Sequence, residues 1–247
     1  MIKKLIVNGD DFGLSEGQTL GILKAHRDGI LTSTTCLINM PFASQSLEMA
    51  KQYPQLGIGL HLTITIGKPV LKTGLSFTDE NGYFKKRGAY DDYEPHPDQD
   101  ELYQEWKAQI EKFISMTGKL PTHLDSHHHV HLLPQCIEVT KRLADEYHLP
   151  MRQDKPLIND YPFARFSEDF YCEGVTKDML YQIFNYDDEI FEIMCHPAFM
   201  DWTIYSQSSY NVLRTKELEL LCLPEIKDYL HKNHIELINY TQIKNGE

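Results

Sequence analysis

Residues 122–134, THLDSHHHVHLLP, hold five of the chain's twelve histidines, three of them adjacent at His127, His128 and His129. Imidazole is the commonest metal ligand and changes charge near neutral pH, so the stretch suits a metal site or a proton relay. Its flanks, THLD and VHLLP, read as a core strand and a helix entry, which sets it apart from a solvated tract. On extended backbone His127, His129 and His131 would share one face and His128 the other. One or two of them then reach a site fixed by other strands.

A second concentration of chemistry is GDDFG, with Asp10 and Asp11 adjacent. Neighbouring carboxylates on extended chain point to opposite sides, so one can bind a metal while the other turns toward a water. Taken alone, the pair equally suits a polar turn with a capping Asp. His61, in GIGLHLTI, taken alone reads as a buried, hydrogen-bonded histidine. One Asp with two His is a ligand set for Zn²⁺, Mn²⁺ or Co²⁺ with positions left for water and substrate. Such a site serves hydrolysis by polarising a carbonyl and acidifying water.

These residues need strands to hold them. KKLIVNG, LTSTTCLINM, LGIGLHLTIT, THLDSH, EIFEIMCHP and HIELINY read as strands. Between them lie helices: one after Ser15, with Gln18 completing a capping box and Gly29 ending it, and another around ASQSLEMAKQY. Leu102, Trp106, Ile110 and Phe113 recur at helical spacing before Gly118, and PQCIEVTKRLADEYH forms a further helix. Alternating strands and helices imply an α/β fold with a parallel sheet, open or closed into a barrel. Asp10 and Asp11, His61, His127 and His196 all fall at strand ends, where sites gather in such folds. Trp106, on the apolar face of its helix, reads as core. Residues 67–98 are polar and rich in Gly, Tyr and Asp, and read as a lid or substrate loop.

The 247 residues form one domain with no internal repeat. A net charge of -12, from 24 Lys and Arg against 36 Asp and Glu, argues against nucleic acid or an anionic membrane as partner. No apolar run approaches the roughly 20 residues of a membrane span, and the N-terminus reads as a strand rather than a signal peptide. The five cysteines, Cys36, Cys136, Cys172, Cys195 and Cys222, contain no C-x-x-C. They read as free core thiols of a cytoplasmic protein.

The ordered set LIVNGDDFGLSEGQ, GILTSTTCLINM, LGIGLHLTITIGKPV, PTHLDSHHHVHLLPQ and IMCHPAFMD resembles the YdjC-like carbohydrate deacetylases, and among them the chitooligosaccharide deacetylases. The resemblance covers nearly the whole chain and departs at Gly9, where the family stretch has alanine. It implies a distorted, TIM-barrel-like (β/α) barrel and one divalent metal, Mg²⁺ or Zn²⁺, with Co²⁺ or Mn²⁺ also suited. The substrate it implies is an N-acetylated amino-sugar oligosaccharide, and it is compatible with a homodimer. By motif position Asp11, His61 and His127 become the metal ligands, with His129 an alternative to His127, and Asp10 becomes the general base. His196 becomes the acid and Arg152 the group that orients Asp10. Asp125, His129 and His131 are expected to support the ligands, and Phe199 and Trp202 to pack on sugar rings.

Two other functions remain compatible with these residues. A metal-dependent phosphoesterase or cyclic amidohydrolase would need further carboxylates for a second metal. A non-catalytic sugar-binding relative would have no use for a base beside the ligand aspartate.

Overall fold

A computed structural model describes residues 1–71, 75–91, 97–157 and 163–243. The chain runs β1 (Lys4–Phe12), α1 (Glu16–Asp28), β2 (Ser33–Cys36), α2 (Ala43–Ala50), β3 (Gly57–Leu62), α3 (Gln99–Thr117), β4 (Leu124–Ser126), α4 (Ile137–Tyr147), β5 (Arg165–Ser167), α5 (Lys177–Phe184), β6 (Ile190–Cys195), α6 (Trp202–Gln207), α7 (Val212–Leu221), α8 (Pro224–Lys232) and β7 (Glu236–Leu237). The sheet is parallel, in the order β4-β3-β2-β1-β6-β5, with β7 beside the start of β1. Its two ends are joined by the extended segment around Arg152. Met151 bridges Leu124 of β4, and Gln153 bridges Arg165 of β5. The ring thereby closes into a distorted (β/α) barrel with helices outside.

Local chemistry explains where the main helices begin and end. Ser15 caps α1 by accepting from the Gln18 N–H, and Gly29 terminates it. The expected capping box is not completed. The Gln18 side chain instead donates to the Asp10 carbonyl and accepts from Arg214, so a residue expected to serve the helix serves the site. In α3, Asp98 accepts from two N–H groups and Gly118 closes the helix in left-handed conformation, while Leu102, Trp106, Ile110 and Phe113 are buried. At Gly17 a Cβ would lie 2.2 Å from the Phe199 carbonyl, and at Gly21 2.4 Å from the Ala198 Cα. Only glycine lets α1 lie this close to the segment after β6, which carries His196.

Several expectations are corrected. Of the cysteines, all free, Cys36, Cys136 and Cys195 are buried, but Cys172 is exposed and Cys222 half-buried; Cys172 sits in a 3₁₀ turn off the barrel. The 67–98 stretch is not a uniform lid: Phe77, Phe84 and Tyr90 pack into the core, the Tyr90 hydroxyl bonded to the Ile64 carbonyl, whereas Tyr83 is exposed. Residues 72–74 and 92–96 of that stretch lie outside the described residues. Among the described residues no helix is long and apolar enough to cross a membrane.

Candidate active site

On β1, Asn8 and Asp10 alternate with Leu5, Val7 and Gly9, so both face the barrel interior, where the Asn8 amide donates to Asp10 at 2.9 Å. Strict alternation would send Asp11 outward. It does not, because the β1–β2 register slips between Gly9 and Phe12 and Asp11 takes φ +65°. That irregularity re-aims the side chain into the site, as bulges at barrel rims do. The opposite-sides expectation is therefore corrected: Asp10 and Asp11 both line one cavity of about 1250 Å³ at the carboxyl ends of the strands.

Asp10 has a partner on each of its carboxylate oxygens. Arg152 grips both its oxygens at 2.7 Å and also donates to Glu192, while its Nη2 stands 3.2 Å from Asp125. Burial works against the Asp10 charge, yet the guanidinium holds its carboxyl below the usual range. Glu192 accepts a second bond from the Tyr240 hydroxyl, and burial pushes its carboxyl up.

Asp11 lies toward the rim. Its Oδ1 stands 2.9 Å from the His127 Nδ1 and 3.4 Å from the His61 Nε2. The other His61 nitrogen is taken by Asp125 at 2.7 Å, and Asp125 is itself fixed by Thr35. Asp125 thus aims the His61 Nε2 at Asp11, the orientation a metal-ligating imidazole needs. Burial raises the Asp11 pKa, but His127 and Arg214 outweigh it and hold the carboxyl well below its usual range. For His61, burial opposes the charge, but Asp125 and Asp11 prevail and push it up to about 10. Burial, with charged His61 as a lesser contributor, lowers His127.

A cation fits this pattern. The Asp11, His61 and His127 donor atoms all lie within 4.8 Å of one another. The buried Asp11 Oδ2 makes no hydrogen bond, although Arg214 approaches it at 2.9 Å. Around the site Asp10, Asp11, Asp125, Glu192 and Glu217 are buried carboxylates, against two buried guanidiniums, Arg152 and Arg214. A divalent ion at Asp11 would reduce that deficit.

The histidine tract does not lie extended. Residues 127–132 wind into a 3₁₀ turn, with His128 and His129 at positive φ, so alternation does not sort them. His127 goes to Asp11, His128 to Thr65 and His129 to Glu168. His131 is buried between Ser126 and the Arg152 carbonyl, where burial lowers it to about 3. It props the Arg152 backbone and touches no ligand. His196 lines the cavity, its ring against Tyr171 and Tyr210. Phe199 and Trp202 do not line it. Both are exposed, Trp202 by 76%, with its ring beside Tyr205. Trp202 opens α6, whose buried residue is Ile204 and whose Thr203, Ser206 and Gln207 form the cavity wall.

Sequence reasoning missed Asn8, Gln18, Thr35, Glu192, Arg214 and Glu217. For Asn8, Thr35 and Glu192 a signal was present: polar residues inside apolar strands mark the barrel's interior face. Arg214 and Glu217 sit three apart on α7, so charged a helix that it reads as solvated.

The YdjC-like protein family model matches residues 4–232. A carbohydrate deacetylase of Brevibacillus brevis is 38% identical over 97% of this chain and 99% of its own length, and one from Geobacillus stearothermophilus 38% over 98% of each. A crystal structure from Enterococcus faecalis, provisionally named a cellobiose-phosphate cleavage protein, is 35% identical with a TM-score of 0.88, covering 98% of each chain. A family 4 carbohydrate esterase from Streptomyces lividans shares the fold at TM-score 0.55 and 12% identity, covering 99% of this chain and 97% of its own.

Proposed function

The chain belongs to the YdjC-like family, and on that premise we propose that it is a metal-dependent hydrolase removing N-acetyl groups from chitin-derived oligosaccharides of the diacetylchitobiose type. The carrying observation is the division of labour between adjacent aspartates facing one cavity: Asp10 gripped by Arg152, Asp11 offered to two imidazoles. Asp11, His61 and His127 would hold a divalent ion, Zn²⁺ by this donor set or Mg²⁺ as the family resemblance implies, which when bound would polarise the acetamide and acidify water. Asp10 is ionised and fixed. Its Oδ2 takes one bond from Arg152, leaving a lone pair to receive the proton of the attacking water. His196 delivers a proton to the departing sugar amine. Roles of this kind are typically worth about 10² to 10⁴ in rate.

A two-metal phosphoesterase is disfavoured. The other Asp/His group among the described residues, Asp10, His61 and Asp125, lies against Arg152, which fills the place of a second cation. A pure binding protein would leave Asp10 without a task. One feature of the wall favours a phosphorylated sugar as a second reading: in this acidic chain, consecutive Lys85, Lys86 and Arg87 line the cavity. Five unpaired cysteines support a reducing, cytoplasmic setting.

The test is acetate release by metal-stripped protein from N,N'-diacetylchitobiose and its 6-phosphate, with Zn²⁺, Mg²⁺ or Co²⁺ restored. Release should require metal and fall about 10² to 10⁴-fold in Asp10→Asn. No acetate from either sugar, in protein that still binds metal, would sink the assignment.

A further inference from the structure

We propose that Glu217 is the positioning residue for His196, holding its ring as the Nδ1–H tautomer so that Nε2 faces the cavity. Glu217 comes from α7 and is completely buried. Its carboxylate accepts the His196 backbone N–H and the Tyr210 hydroxyl. Among the described residues no lysine or arginine pairs with it; its ion-pair partner is the His196 Nδ1, 3.9 Å from Oε1. Nearby Arg214 is committed elsewhere, to the Tyr210 carbonyl, Gln18 and Asp11.

The His196 Nδ1 is itself buried without a hydrogen-bond partner. A buried polar nitrogen left unpaired costs roughly 1–3 kcal/mol, and a buried carboxylate without a cation is costly as well. A small turn of the ring settles the first and gives the carboxylate a further donor by bringing Nδ1–H onto Oε1. One side chain then fixes the main chain of His196 and its ring. Catalytic contacts are often long before substrate binds, so a 3.9 Å separation suits such a pair.

The role in catalysis rests on the deacetylase reading; the tautomer does not. In the acid step the Nε2–H bond of the imidazolium breaks and an N–H bond forms on the leaving amine. The ring is left neutral, with its Nδ1–H bonded to Glu217. An aryl acetate, whose leaving group needs no proton, bypasses this step.

Glu217→Gln is therefore expected to cut kcat for the acetamide sugar about 10- to 100-fold, the usual range for a partner of an active-site group, and to affect an aryl acetate far less. In a His196→Ala background it should cost nothing further. Equal losses on both substrates, or losses that multiply with His196→Ala, would mean a purely structural role. Long-range ¹H–¹⁵N spectra decide independently of turnover: His196 should show the Nδ1–H pattern in the wild type and in Tyr210→Phe, which keeps Glu217 should Glu217→Gln fail to fold. An Nε2–H pattern overturns the proposal. If the wild type releases no acetate while showing Nδ1–H, the deacetylase reading fails and the positioning of His196 stands.

Discussion

Two carboxylate clusters share the barrel, one residue apart in sequence and opposite in character. In the lower one, Asp10, Asp125 and Glu192 surround Arg152, and the guanidinium bonds Asp10 and Glu192. Glu192 is closed off further by Tyr240. In the upper one, Asp11 meets His61, His127 and Arg214, yet its Oδ2 has no hydrogen bond and the nearby His196 Nδ1 has none either. Burial is nearly total for the carboxylates of both, although His127 in the upper one is only partly buried. The difference lies in compensation. The lower cluster is compensated by its own guanidinium, whereas the upper one leaves an Asp11 oxygen without a hydrogen bond at the cavity wall.

The largest way to break this contrast is to open the lower cluster. Arg152→Leu strips three buried carboxylates of their shared cation and is expected to cost about 3–5 kcal/mol, the range for halving a buried ion pair, read by urea denaturation at neutral pH. A loss below about 1 kcal/mol would show that the carboxylates protonate instead, and the lower cluster would no longer count as compensated.

The upper cluster is tested by proton linkage. His61 in the metal-free protein is raised to about 10, so at pH 7 it must lose a proton to become a ligand. The sign follows: below about 10 the proton competes, and affinity is expected to rise up to about tenfold per pH unit between pH 7 and 9. Titration calorimetry in buffers of different ionisation enthalpy should register close to one proton released per ion. Proton-free binding would place the ion elsewhere.

The smallest effect belongs to the rim. Trp202 and Tyr205 stand exposed on α6, the helix whose Thr203 and Ser206 line the cavity, and aromatic faces suit pyranose rings. Trp202→Ala is expected to raise KM a few-fold, about 1 kcal/mol by that contact's scale, for a trisaccharide and not for a disaccharide. An equal change for both would remove Trp202 from substrate binding.

Much of this architecture was legible beforehand. The helices α1, α3 and α4 lie where the sequence placed them, α1 and α3 with side-chain caps and α4 without one, since burial of one face dominates their stability. The last strand, read from HIELINY, shrinks to Glu236–Leu237. The segment around Arg152 and β5 escaped notice, because each pairs through too few residues to leave a pattern. In the site, Asp11, His61 and His127 do meet, as their placement at strand ends suggested. Phe199 and Trp202, expected to pack on sugar rings, follow His196 within six residues yet stand outside the cavity lining; nearness along a turning chain does not fix direction.

The sequence by itself determined which residues stand at strand ends, because alternation and capping are local and leave a periodic trace. Tertiary structure alone decided what each became. The slipped register at Asp11, the 3₁₀ turn that divides the histidines, and the pairing of Arg152 with Asp10 and of His196 with Glu217 depend on contacts between segments 21 to 142 residues apart. No local pattern encodes such contacts; they exist only once the barrel has closed.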